Sequence, residues 1–198
     1  MGNNSPSPIR FSIITGTGAF FAAIFFSFFF EVILPKFQIL IISFLFLIIV
    51  VFTGIVFDMI GVATAVAAEH PFHAKAAKKL KGARHAILLI RNAHKVSVYC
   101  SDVVGDICGT VSGALGAAII IQFVTNRPGL NVNHSLLAII MTGIVASFTV
   151  GGKAFGKHKA LEDSEQIIFL VGRALGWLES TTGIKILSGN LSKGRGKR

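Results

Sequence analysis

The chain has 198 residues, 53% of them hydrophobic and only 14% charged, yet its formal net charge is +10. So few charges leave too little polar surface for a soluble domain, and the composition reads as an all-α integral membrane protein. A nucleic-acid binder would carry its basic residues as a stripe on a soluble fold; here they fall between and after apolar stretches, which excludes nucleic acid as the partner.

In chain order, residues 1–36 form a polar tail followed by an extra transmembrane helix. Residues 11–34 are apolar and uncharged until Glu31, about the length that crosses a bilayer, with Gly16, Gly18 and Ala19 as a thin packing edge. A signal peptide would have a shorter apolar core and a small-residue cleavage site, so this helix is expected to be retained. Pro35-Lys36 makes the turn, because proline disfavours helix in the residue before it.

Residues 37–180 read as one transmembrane domain with spans at about 37–68, 97–123 and 132–155. The second span of the chain places Gly54, Asp58, Gly61, Ala65 and Ala68 at three-and-four spacing, a small polar face that points Asp58 toward protein. The linker 69–96 is a different medium. It carries Lys75, Lys78, Lys79, Lys81 and Arg84 beside Ile87, Leu88, Leu89 and Ile90, the pattern of a basic amphipathic helix or helix pair against anionic lipid head groups. His70, His73 and His85 have no cysteine or carboxylate at metal-site spacing and read as part of a solvated basic face.

The next span holds Asp102 and Asp106 one helical turn apart, with Gly105, Gly109 and Gly113 at the same interval. Cys100 and Cys108 are too few for a disulfide framework and, on a helix, lie about 12 Å apart along the axis, so they are expected as small fillers. After a Gly-rich turn near 125–131, the last span carries Gly143, Ser147 and Gly151 as a second small-residue seam. An amphipathic juxtamembrane helix is expected over 160–180, with Trp177 as an interfacial anchor, and 181–198 as a flexible basic tail.

Of the 19 Lys and Arg residues, 16 fall in the N-terminus, the linker and the region after residue 155, and Lys153 lies at the end of the last span next to that region. The positive-inside rule therefore places both termini and the linker in the cytoplasm, for a multi-pass protein of the cell's inner membrane. With that topology Asp58 and Asp106 lie at similar depth, roughly 13 to 15 Å from the inner surface, which lets them face each other.

Acids inside apolar spans are costly and normally mark an ion or proton path. Asp58 and Asp106, with Thr110, Gly54 and further hydroxyl and carbonyl oxygens, offer an all-oxygen ligand set suited to Mg²⁺, Ca²⁺ or Na⁺ rather than zinc. Asp102, about 6 Å nearer the cytoplasm, is expected as a first ligand on the way in. The alternative is that each acid merely hydrogen-bonds a neighbouring helix. No enzyme constellation competes: Gly151-Gly152-Lys153 lacks the rest of a phosphate loop, and no organic cofactor motif is present.

The order of parts resembles the transmembrane domain of the CorB/CorC and cyclin-M magnesium transporters over about residues 50–180. In that family a Phe-Phe-Ser-Gly-x-Glu-Thr-Ala pattern opens the core; Val56-Phe57-Asp58-Met59 falls there, with Asp58 at the serine. An Ile-Gly-Asn pattern follows, matched by Val104-Gly105-Asp106 with Asp for the ion-binding Asn. The family's Gly-Glu-x-x-Pro-Lys corresponds to Phe148-Thr149-Val150-Gly151-Gly152-Lys153, where Thr149 replaces the acid and only the Lys is kept. The family's nucleotide-sensing CBS domains have no counterpart in this sequence. The resemblance implies a homodimeric transporter of Mg²⁺ coupled to Na⁺, with Thr149 near the ion and room for a separate regulatory subunit. The competing reading is a non-transporting membrane subunit or scaffold whose glycine seams bind a partner protein.

Overall fold

The computed structural model describes residues 8–33, 40–125 and 134–182. The turn at 35–36, the Gly-rich turn over 126–131 and the tail from 183 onward lie outside the described residues. Among the described residues every regular element is a helix. Four helical stretches are long and apolar enough to cross a membrane: Ile9–Phe28, Leu40–Val66, Ala93–Thr125 and Ser135–Glu162. This is the make-up of a multi-pass membrane protein, and its physical origin is simple: in hydrocarbon a backbone must close its hydrogen bonds within the segment.

The elements are α1 (Pro8–Ile33), α2 (Leu40–Val66), α3 (His70–Ala77), α4 (Ala83–Arg91) and α5 (Ala93–Ser97). A π-helix, π1 (Val98–Gly105), follows, then α6 (Asp106–Thr125), α7 (His134–Glu162) and α8 (Ser164–Thr182). Three boundaries differ from the sequence reading. The linker is three short helices broken at residues 78–82 and at Asn92, whose side chain donates to the Leu88 carbonyl at 2.8 Å. The third span begins with a wide π turn that its sequence does not announce. And α7 runs on through Lys157-His158-Lys159 to Glu162, because leaving the apolar stretch removes no helical hydrogen bond; the break comes at Asp163, whose Oδ1 accepts from Gln166 Nε2 at 3.2 Å.

The chain divides into two compact units, 1–58 with 100–156 and 59–99 with 157–198. In the first, Leu47 and Val50 of α2, Ile107, Val111, Leu115 and Ile119 of α6, and Met141 and Val145 of α7 form one cluster, with Ala22 and Ala23 of α1 against it. Among the described residues the packing edge of α1 is thus this alanine pair, and none of them lies within 4 Å of a Cβ placed on Gly16 or Gly18. Polar fastening is sparse: Ser43 Oγ donates to Gln122 Oε1 at 3.5 Å between α2 and α6.

In the second unit Phe72, Ala86, Ile87, Leu89, Ala160 and Ile168 share a core with Ala63 and Ala67. The aliphatic face of α4, which the sequence offers to a membrane surface, is covered here by α8. Two glycines set that crossing. A Cβ on Gly172 would stand 2.5 Å from the Gly82 carbonyl oxygen, and one on Gly82 would stand 2.5 Å from the Arg173 nitrogen. Gly82 also has φ +92°, a left-handed backbone that glycine adopts without penalty.

Candidate functional site

Asp58 is buried at 3% exposure, and of the ionisable side chains among the described residues it is the one in the buried class. It sits on α2, four residues after Gly54, so both lie on one helix face. That face meets the π turn within the first unit. A Cβ on Gly105 would stand 3.7 Å from Asp58 Cβ, 3.7 Å from the Gly54 carbonyl oxygen and 3.4 Å from the Cys100 carbonyl oxygen. One on Gly54 would stand 2.8 Å from Cys108 Cβ, too close for any side chain without movement. Glycine on both helices therefore brings the two backbones together beside the carboxylate. Ser101 Oγ donates to the Asp58 carbonyl at 3.3 Å, tying the π turn to α2. π turns recur at functional positions because the widened rung redirects backbone carbonyls.

Asp106 has different surroundings. It opens α6 with a side chain 70% exposed and accepts from Lys153 Nζ of α7 at 3.0 Å; the lysine itself is only 19% exposed. The residue that stands against Asp58 is Gly105. Asp102, within π1, is exposed. The hydroxyls expected near the ion are tied to their own helices: Thr110 Oγ1 donates to the Asp106 carbonyl and Thr149 Oγ1 to the Val145 carbonyl, each at 2.8 Å. Their lone pairs remain available as acceptors. Among the described residues no three His, Cys, Asp or Glu side chains converge as a metal cluster.

Lys153 is the residue that sequence reasoning left out of the site. Its signal was present, since a lysine beside an apolar span needs a carboxylate partner.

Of Gly105, Gly109 and Gly113, it is Gly105, the last residue of π1, that meets α2 among the described residues. Among the described residues nothing lies within 4 Å of a Cβ on Gly109 or Gly113, nor on Gly143 or Gly151 of α7, and Ser147 is exposed. Close packing of α6 on α7 runs instead through Gly116, where a Cβ would stand 3.0 Å from Val145 Cγ2.

The basic residues of the second unit divide into two sets. Lys75 Nζ lies 4.9 Å from both the Phe72 and Phe169 ring centroids and 4.0 Å from Glu165 Oε2, so it is engaged within the fold. Arg91 Nε and His73 Nε2 both donate to Glu69 Oε1 at 2.8 Å. For Glu69, burial would raise the carboxyl pKa, but the hydrogen bonds and charges of Arg91 and His73 prevail and hold it below its ordinary 4.5. His85 Nε2 donates to Glu179 Oε2 of α8 at 2.6 Å. Lys78, Lys79, Lys81 and Arg84 are exposed.

No protein-family model matches the chain, and no curated protein or solved structure does either.

Proposed function

We propose that the chain is a membrane transporter of a divalent cation, Mg²⁺ first among candidates, moved with Na⁺ as the coupling ion. One observation carries the reading: an apolar span holds a buried carboxylate, Asp58, against a π turn, where glycines on both helices bring backbone carbonyls close. A carboxylate inside a membrane protein faces the protein interior when it serves an ion path, and carbonyl and hydroxyl oxygens suit a hard cation. In this reading Asp58 is the principal ligand. Asp106, held by Lys153, belongs to the approach, where a cation would compete with the lysine for its carboxylate.

The linker and both termini are cytoplasmic on this reading, as the charge asymmetry requires. The outer face of α8 supports it: Leu170 and Trp177, two turns apart, are 68% and 67% exposed, a stripe suited to the membrane interface. A homodimer is supported by the open face of α6. There Asp106, Gly109, Thr110 and Gly113 lie along one side, and a carboxylate 70% exposed is costly against lipid.

The test is Mg²⁺ flux into proteoliposomes with a trapped fluorescent indicator. Asp58→Asn is expected to lower flux at least about tenfold, because the charged ligand is gone while the volume is kept. Flux equal to the parent sinks the proposal. A second reading, a non-transporting subunit that binds a partner protein, draws on the unoccupied faces at Gly143 and Gly151. It predicts that Gly143→Leu abolishes co-purification of a partner while cations leave stability unchanged.

A further inference from the structure

We propose that the linker holds a binding pocket for a phosphomonoester, separate from the cation path. Between α3 and α4 the chain turns sharply: Lys79 N–H donates to the Ala76 carbonyl at 2.9 Å, Leu80 N–H to Lys75 at 3.2 Å and Ala83 N–H to Leu80 at 3.2 Å. Lys79 takes φ +56° to make the turn, a backbone conformation uncommon for a residue with a side chain. Such positions persist where surrounding structure determines them, and they cluster at ligand clamps.

The turn borders a half-open cleft of about 370 Å³, within the size range of small-molecule sites. Lys79, Lys81, Arg84 and His85 line it, with Ala76 and Leu80 as an apolar wall. In this unit Lys75 is paired with Glu165 and Arg91 with Glu69. Lys79, Lys81 and Arg84 have no carboxylate partner among the described residues. The carboxylate bonded to a lining residue, Glu179, is held by His85 Nε2 at 2.6 Å. Three uncompensated cations around one cavity repel one another, and a dianionic ligand relieves that repulsion.

The charge and the volume select the ligand class. A phosphomonoester carries about −1.5 to −2 at neutral pH and three acceptor oxygens, which answers three cations better than a singly charged diester does. Arg84 supplies the planar fork that phosphate oxygens accept in pairs, and the lysines supply point charges. The remaining volume and the Leu80 wall accommodate the glycerol or sugar that bears the phosphate. A phosphatidic-acid head group and a soluble organophosphate share this chemistry.

The experiment uses the full chain in lipid nanodiscs, with unfolding followed by the emission of Trp177, its one tryptophan. Three conditions are compared: glycerol 3-phosphate added to phosphatidylcholine discs, discs containing phosphatidic acid, and discs containing phosphatidylglycerol at equal mole fraction. The expected result is a rise in melting temperature with a phosphomonoester and none with phosphatidylglycerol. A rise with the soluble probe in neutral discs assigns a soluble ligand; a rise with phosphatidic acid alone assigns the head group. Lys81→Gln with Arg84→Gln should weaken the effect at least about tenfold, while Lys81→Arg keeps it. Lys95→Gln, in the same linker but outside the cavity, should leave it intact. The proposal is overturned if neither phosphomonoester stabilises, if phosphatidylglycerol does as well, or if Lys95→Gln costs as much as the double variant. Mg²⁺ flux is measured on the same preparations, so failure of the pocket and failure of the cation path are read separately.

Discussion

The two compact units solve opposite problems with one polypeptide. The first turns aliphatic and aromatic side chains outward, as with Ile41 at 77% and Phe148 at 72% exposure, and buries a carboxylate. The second buries Phe72 and Ile168 completely and turns Lys78, Lys79, Lys81 and Arg84 outward. A surface of the first kind suits hydrocarbon, and one of the second kind, basic but with Leu170 and Trp177 also exposed, suits the boundary between membrane and water. The difference teaches where binding energy comes from in each. Between apolar helices in lipid there is no hydrophobic drive, so close backbone approach and a few polar contacts decide the packing. In the second unit, burial of Phe72, Ile87, Leu89 and Ile168 supplies the drive directly, at about 1.5 to 3 kcal/mol for each large side chain.

The largest expected effect falls on the first unit's function. Asp58→Asn should cost at least about tenfold in flux, with the Asp106→Asn defect smaller because that carboxylate is open and already neutralised by Lys153. Equal defects would erase the distinction between a buried ligand and an exposed approach. Next in size is Phe72→Ala, which should destabilise the second unit by about 3 to 5 kcal/mol. Hydrogen exchange should then quicken in α3, α4 and α8 while amides of α6 stay protected; uniform loss of protection would mean that the units do not unfold separately. Gly54→Val should cost about 1 to 3 kcal/mol by overpacking against Cys108, read as a lower melting temperature in detergent. Gly143→Leu, where a side chain meets open space within the chain, should leave that melting temperature unchanged.

The smallest effect concerns Glu69. Its carboxyl is held below 4.5 in the fold, so its contribution is fully present above the unfolded value and lost as pH falls through the lower folded value. Glu69→Gln should therefore lower stability slightly, by about 0.2 to 1 kcal/mol near neutral pH, and flatten the acid limb of the melting profile below pH 4.5. An unchanged limb would remove the charge-assisted bonds to Arg91 and His73 as its source.

Much of the architecture was legible in the residues. Apolar run lengths marked the four candidate spans, because helix length in a bilayer is set by its thickness, and the linker's composition set it apart from them. The closeness of α2 to the following span was partly legible through Gly54 and Gly105. The π turn was not: a widened rung depends on what packs against it, and Val98-Tyr99-Cys100-Ser101 would serve equally in an α-helix. Nor did spacing say which glycines pack, since Gly109 and Gly113 share the interval of Gly105 without its neighbour.

By itself, then, the sequence determined the medium, the number of candidate spans and the presence of acids within them, since each follows from composition along a single helix. Tertiary structure decided which acid is buried, which glycines pack, and what covers the aliphatic face of α4. Counting residues from the span ends gives Asp58 and Asp106 a similar expected depth, but depth is an axial coordinate. Burial is set by rotation about the axis and by the neighbour met there: Gly105 for Asp58, and Lys153 for Asp106.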